Sequence, residues 1–475
     1  MLGSKSLTLL QSLTKTELNR LRKFIRSPWF NDSQDLTRFF DLLHEALRQG
    51  EAAVSALDKV SVWAALFPSK PYDDAAIRRL SSDFTQLALR FLLEEQRSQD
   101  ALGEALALQK ILNRPELRKH LAGVERQVLK QLEASGGKSP EYYLAHFQMH
   151  WNGFTRSAKS VSTADYFEKL WPANEHLEAF YVVQKLKMYL SWRMFRKVRA
   201  AEQDLEMPPG FWQQIERAPY CDIPLVALYK HAVKCLEEPE EEAHFQALLD
   251  DLRRYAPELT QEDLREGYHI AQNYCALKIN QGYTDYYGVL FRLFQDIIRL
   301  QILLENNALS EGVFKNIITI SLVQGEYAWA EAFIRDYAGF LPSDIRDNAY
   351  TFNLANLYFH QRKYPAVIEL LRNVEYSDVV YTLGSKLLLL RTYYETDEVL
   401  ALDSLMDSFR IYVRRNKLIS KDLKREYINF LNFLKRLMAL SVASPQAVAA
   451  FREKVSASKN PTIKKWLLEK IGELE

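Results

Sequence analysis

A short turn recurs in the carboxyl-terminal half of the chain, and its recurrence constrains the fold more than any other feature. Gly325-Glu326-Tyr327 is followed by Arg362-Lys363-Tyr364 and then by Thr396-Asp397-Glu398, at steps of 37 and 34 residues. Steps of this size match one helix-turn-helix unit, which cannot bury its apolar stripe alone and must stack on its neighbours. Around the first turn the stripe falls at Phe314, Ile318, Ser321, Ala330, Ile334 and Tyr337, and Pro342 ends the unit. Around the second it falls at Ala355, Tyr358, Val367, Leu371 and Val374. Pro365 sits in the first turn of the second helix, where its missing amide costs little. In the third unit Ala401 takes the small position, and the turn lacks both the glycine and the tyrosine.

These residues resemble the tetratricopeptide repeat, in which small residues let two antiparallel helices approach and proline ends the second one. The resemblance covers 311–342, 348–378 and 382–415, with a degenerate unit at Tyr268–Arg299 carried by Tyr274, Gly282 and Tyr283. The whole chain is also similar to uncharacterised bacterial helical-repeat proteins, through SPWFN at Ser27 and NYCALKINQG at Asn273. That likeness brings no activity with it. The repeat resemblance implies an all-α fold, a right-handed superhelical α-solenoid of antiparallel helix pairs. The first helix of each pair would line a concave groove that receives a peptide or a partner helix.

Helical patterning extends to the amino terminus. Thr14 and Glu17 have the spacing of a capping box, and Leu18, Leu21, Phe24 and Ile25 follow on one face. Ser27-Pro28 ends that helix, and Asp32 or Ser33 can cap the next, which carries Leu36, Phe39, Phe40, Leu43 and Leu47. Asp73 or Asp74 caps a third stripe at Ile77, Leu80, Phe84, Leu87 and Phe91. No segment alternates with period two, so strands are not expected. Ser135-Gly-Gly-Lys-Ser-Pro140 is the clearest linker. It divides the chain into an N-terminal helical domain at 1–137, an irregular helical-repeat region at 138–305, and repeats with capping helices at 306–475.

Composition limits the roles this array can take. Lys and Arg number 62 against 61 Asp and Glu, which leaves no overall field for a polyanion, and nucleic acid is not the expected partner. Three widely spaced cysteines, Cys221, Cys235 and Cys275, read as reduced thiols of a cytoplasmic protein. No run approaches the ~20 apolar residues that span a bilayer. The chain contains no phosphate loop, nucleophile elbow or zinc-protease helix, so a non-catalytic role without a cofactor is expected.

Three clusters remain as candidate sites. His146 and His150 lie four apart on one helical face and would hold a metal only with a third ligand from elsewhere, so they read as packing residues and no metal is expected. The stretch from Lys185 to Arg199 carries Lys185, Lys187, Arg193, Arg196, Lys197 and Arg199 beside Trp192. With the basic residues Arg20, Arg22, Lys23 and Arg26 it forms the alternative, a peptide-sensing or nucleic-acid-binding regulator. The expected partner groove is lined by Lys315, Asn316 and Thr319 in one unit, by Asn353, Asn356 and His360 in the next, and by Lys386 and Arg391 in the third. Asparagine amides both donate and accept, so they can grip a peptide backbone, and the cations can hold a carboxylate.

Overall fold

The computed structural model describes residues 4–474 apart from 56, 113, 135–136, 158–162, 199–203, 373–378, 443–444 and 458–460. Among the described residues the chain forms 24 α-helices and no strand. No helix of the described residues is long and apolar enough to cross a membrane. The chain divides into two compact units, Met1–Met188 with Pro208–Val226, and Tyr189–Met207 with Ala227–Glu475.

The first unit holds α1 (Ser4–Ser12), α2 (Lys15–Ile25), α3 (Gln34–Gln49), α4 (Glu51–Ser55), α5 (Lys59–Leu66) and α6 (Asp74–Gln99). It continues with α7 (Ala101–Ile111), α8 (Leu121–Ala134), α9 (Pro140–Ser157), most of α10 (Thr163–Val198) and α11 (Phe211–Ile215). Thr14 and Glu17 form the capping box, Ser33 caps α3 and Asp73 caps α6. The stripes then meet: Leu21, Ile25, Phe39, Phe40, Leu43, Ile77, Phe84 and Phe91 share one core. Burying a side chain of this size contributes about 1.5–3 kcal/mol. Helix α1 had no counterpart in the sequence reading. Its Leu10 is buried in that core, and Ser6 Oγ lies 2.9 Å from Thr85 Oγ1 and 3.0 Å from Ser81 Oγ on α6.

The Ser-Pro-Trp-Phe-Asn connection is held by Asn31, whose amide donates to the Ile25 carbonyl at 2.8 Å and to the Ser33 carbonyl at 3.1 Å. One side chain thus ties the end of α2 to the start of α3. The linker glycine-serine stretch begins at 135–136, outside the described residues, and its remainder leads directly into α9.

The second unit contains most of α12 (Pro224–Glu237), then α13 (Glu242–Arg254), α14 (Gln261–Asn280), α15 (Tyr286–Arg299), α16 (Glu311–Val323) and α17 (Tyr327–Tyr337). It ends with α18 (Arg346–His360), α19 (Tyr364–Leu371), α20 (Val379–Glu395), α21 (Val399–Arg415), α22 (Lys421–Met438), α23 (Pro445–Ser456) and α24 (Pro461–Gly472). Consecutive pairs pack as hairpins, α14 on α15, α16 on α17, α18 on α19 and α20 on α21.

One backbone turn joins these hairpins. Gly325, Arg362 and Asp397 are left-handed, with φ of 76°, 58° and 55°. The next amide in each case closes on the carbonyl five residues back: Glu326 on Ser321, Lys363 on Tyr358 and Glu398 on Tyr393, each at 2.9 Å. This bond ends a helix by satisfying one of its orphan carbonyls. Gly282 makes the same turn, with φ of 101° and a bond from Tyr283 to Lys278 at 3.0 Å. The third turn is therefore Asp397-Glu398-Val399, one residue beyond the Thr396-Asp397-Glu398 of the sequence alignment. In that register Leu402, which is buried, takes the position of Ala330, and Ala401 is only half-buried. Val374 of the second unit lies outside the described residues.

Candidate partner-binding site

Helices α16, α18 and α20 differ in what their faces meet. On α16, Lys315, Asn316 and Thr319 are exposed, and the Thr319 hydroxyl donates back to the Lys315 carbonyl at 2.8 Å. On α18, Asn353 is 1% exposed and its amide donates to the Ala349 carbonyl at 2.8 Å. Asn353 is thus a core residue bonded to its own helix and is not available to a ligand. Asn356 is half-buried, and its carbonyl lies 2.9 Å from Nδ1 of His360. Burial lowers the His360 pKa below the ordinary histidine value, so the ring is neutral at pH 7.

The two cations expected from α20 point to different places. Arg391 lies over the Phe359 ring, 4.3 Å from its centroid, and 5.4 Å from that of Trp466 on α24. Its Nε is buried without a hydrogen-bond partner, and burial pushes its pKa down to about 10. Trp466 donates its indole N–H to Glu395 at 2.8 Å, and Lys470 binds the same carboxylate at 2.9 Å. The C-terminal helix α24 therefore covers the Arg391 end of α20. No local signal predicts this contact, since Trp466 and Glu395 are 71 residues apart.

Lys386 instead faces α21. It lines a cavity of about 340 Å³ among α19, α20 and α21, together with Arg372, Thr382, Ser385, Tyr393, Ser404 and Ser408, over a floor that includes Leu371, Leu389 and Leu405. Among the described residues no carboxylate lines this space. Among the described residues neither Arg372 nor Lys386 makes an ion pair. Ser385 is 4% exposed, and its Oγ has no hydrogen-bond partner. A buried hydroxyl without a partner is costly by about 1–3 kcal/mol, so a site that offers it an acceptor or donor gains. Arg372, Ser385, Ser404 and Ser408 were not singled out in the sequence. Their only signal was the pattern of hydroxyls at 404 and 408, four apart on one helical face, opposite Lys386.

Among the described residues the arginines of the basic clusters are paired. Arg193 bonds Glu237 and lies over the Tyr189 and Trp192 rings at 5.2 and 5.4 Å. Arg196 bonds Asp204 at 2.8 Å and lies over the half-buried Trp192 at 5.1 Å. Lys185 and Lys187 are half-buried, and the Lys197 side chain and Arg199 lie outside the described residues. On α2, Arg20 pairs with Glu95 at 2.6 Å, and Arg22 and Arg26 reach Asp41 at 3.9 and 2.9 Å, while Lys23 is exposed. Paired guanidinium groups offer little to a phosphate backbone. The histidine pair on α9 is joined by His176 of α10.

No protein-family model matches the sequence, and no curated protein or solved structure matches it either.

Proposed function

We propose that this chain is a binding protein without catalytic activity, whose tetratricopeptide-like second unit recognises an anionic segment of a partner protein. The observation that carries this reading is the cavity among α19, α20 and α21. Among the described residues it combines two cations without ion pairs, Arg372 and Lys386, with hydroxyls and apolar residues, and no described carboxylate lines it. Its volume of about 340 Å³ suits an acidic side chain or a terminal carboxylate with its neighbouring residue. The cations set the sign of the ligand, and the hydroxyls supply directed bonds. Exposed Lys315, Asn316 and Thr319 on α16 extend the polar surface of the same unit. The α24 helix, seated through Trp466 on α20, supports a helix or extended segment as the form of the partner, because a repeat helix here already accepts another helix. Three unpaired thiols fit a reducing compartment such as the cytoplasm.

A photocrosslinking residue at the exposed position Ser408 tests the reading in cells. The expected result is one recurrent protein partner, crosslinked through a segment that carries Asp, Glu or a terminal carboxylate. Capture of no recurrent partner, or of one through a basic or neutral segment, would contradict it.

A further inference from the structure

We propose that His146, His150 and His176 form a three-histidine site for one divalent first-row transition ion, of which zinc is the expected occupant. His146 and His150 stand one helical turn apart on α9, and His176 comes from α10, so two elements of the first unit supply the ligands. One ring nitrogen from each lies within 4.8 Å of those of the other two. Tetrahedral zinc holds its imidazole nitrogens about 2.0–2.1 Å from the ion, hence roughly 3.4 Å from one another. Closing the site requires the nitrogens to approach by about 1.5 Å and the stacked rings to rotate until their in-plane lone pairs converge on one point, which side-chain rotation on two helices can supply.

The second observation is the state of the donors. His146 Nδ1 is buried and has no hydrogen-bond partner. An imidazole nitrogen in that position is under-used unless something binds it. The rings lie nearly parallel, with centroids 4.5 Å apart for His146 and His176 and 5.6 Å for His150 and His176, at 21° and 5°. Charged imidazoles this close repel one another, which favours the neutral form. Burial agrees, since it pushes His146 and His176 down to about 4 and lowers His150 as well. Neutral imidazole is the form that binds metal.

The surroundings fit a cation. Glu125 is the carboxylate that acts on His150, and the Tyr142 ring lies against His146, tilted by 58° with centroids 4.5 Å apart. All three histidines are half-buried, which leaves the ion an approach from solvent. Three neutral ligands leave a fourth position for water or a solute anion. Nitrogen donors favour zinc, copper and nickel over magnesium or calcium. The sequence showed only His146 and His150. The third ligand is separated from them by the connection between α9 and α10, and no spacing rule predicts it.

The test uses the full, untagged chain, stripped with a chelator and titrated with cobalt(II) and then zinc. One cobalt per chain is expected, with the visible ligand-field absorption of a four-coordinate nitrogen site, and zinc should displace it. Imidazole ¹⁵N resonances of His146, His150 and His176 should shift on zinc addition, and those of the other six of nine histidines should not. His176→Gln and His150→Gln should each weaken binding at least about a hundredfold. His120→Gln, at an exposed position, should leave affinity unchanged. Because the resonance experiment uses the natural sequence, a variant that fails to fold does not blur the outcome. Zinc in excess that leaves these three resonances in place, or that shifts other histidines instead, would overturn the site and leave the rings as packing residues.

Discussion

Arg362 and Asp397 hold a left-handed backbone that side chains resist, because Cβ crowds the following carbonyl by roughly 1–2 kcal/mol. Glycine escapes that cost but loses about 0.5–1 kcal/mol of chain entropy. Arg362→Gly and Asp397→Gly should therefore each stabilise the second unit by about 0.5–1 kcal/mol in denaturant unfolding, and Gly325→Ala should destabilise it by about 1 kcal/mol. Equal losses in all three would show that the turns are not equivalent. A second expectation concerns the thiols. Burial pushes Cys235 and Cys275 up to about 12, whereas Cys221 is half-buried. Alkylation of the native protein near pH 8, followed by mass spectrometry, should modify Cys221 first, because only a thiolate reacts. Rapid labelling of Cys275 would mean that α14 opens readily.

Among the elements, α24 is the one whose role the sequence conceals. Its Trp466 is 4% exposed, stacks on Arg391 and bonds Glu395, and Lys470 pairs with the same carboxylate. Trp466→Ala should cost about 3–5 kcal/mol, as truncation of a buried aromatic does, with a larger loss than for any exposed residue of α24. Differential scanning calorimetry of the variant measures it, and a loss below about 1 kcal/mol would mean that α24 is only loosely seated. Helices α2, α3 and α6 were legible because their caps and stripes are local: Thr14, Ser33 and Asp73 announce starts, and Leu21, Phe39 and Phe84 announce faces. Helix α1 was not, since Ser6 and Leu10 take their place only through partners on α6. The face of α18 was misjudged for a similar reason. Asn353 has the spacing of a groove residue, but its environment is set by neighbouring helices, and a polar residue that bonds its own helix can be buried.

At the scale of the whole molecule, a net charge of +1 left the partner's chemistry open, because charge balance says nothing about where cations gather. The all-helical fold followed from periodicity over long windows, which is the part of a sequence that survives ignorance of tertiary contacts. The site did not. Lys386 was named, but its companions Arg372, Ser404 and Ser408 come from the end of α19 and from α21, and the cavity exists only once α19, α20 and α21 pack. Arg391, assigned to the same groove, lies instead beneath Trp466.

The proposed recognition depends on that cavity. The most direct measurement is the affinity of the crosslinked partner segment for the natural chain and for the Arg372→Glu, Lys386→Glu double variant, at low and at physiological salt. Binding should fall at least about tenfold in the variant, through like-charge contacts, and should weaken with salt in the natural chain. A folded variant that binds the segment as tightly as the natural chain would contradict the account.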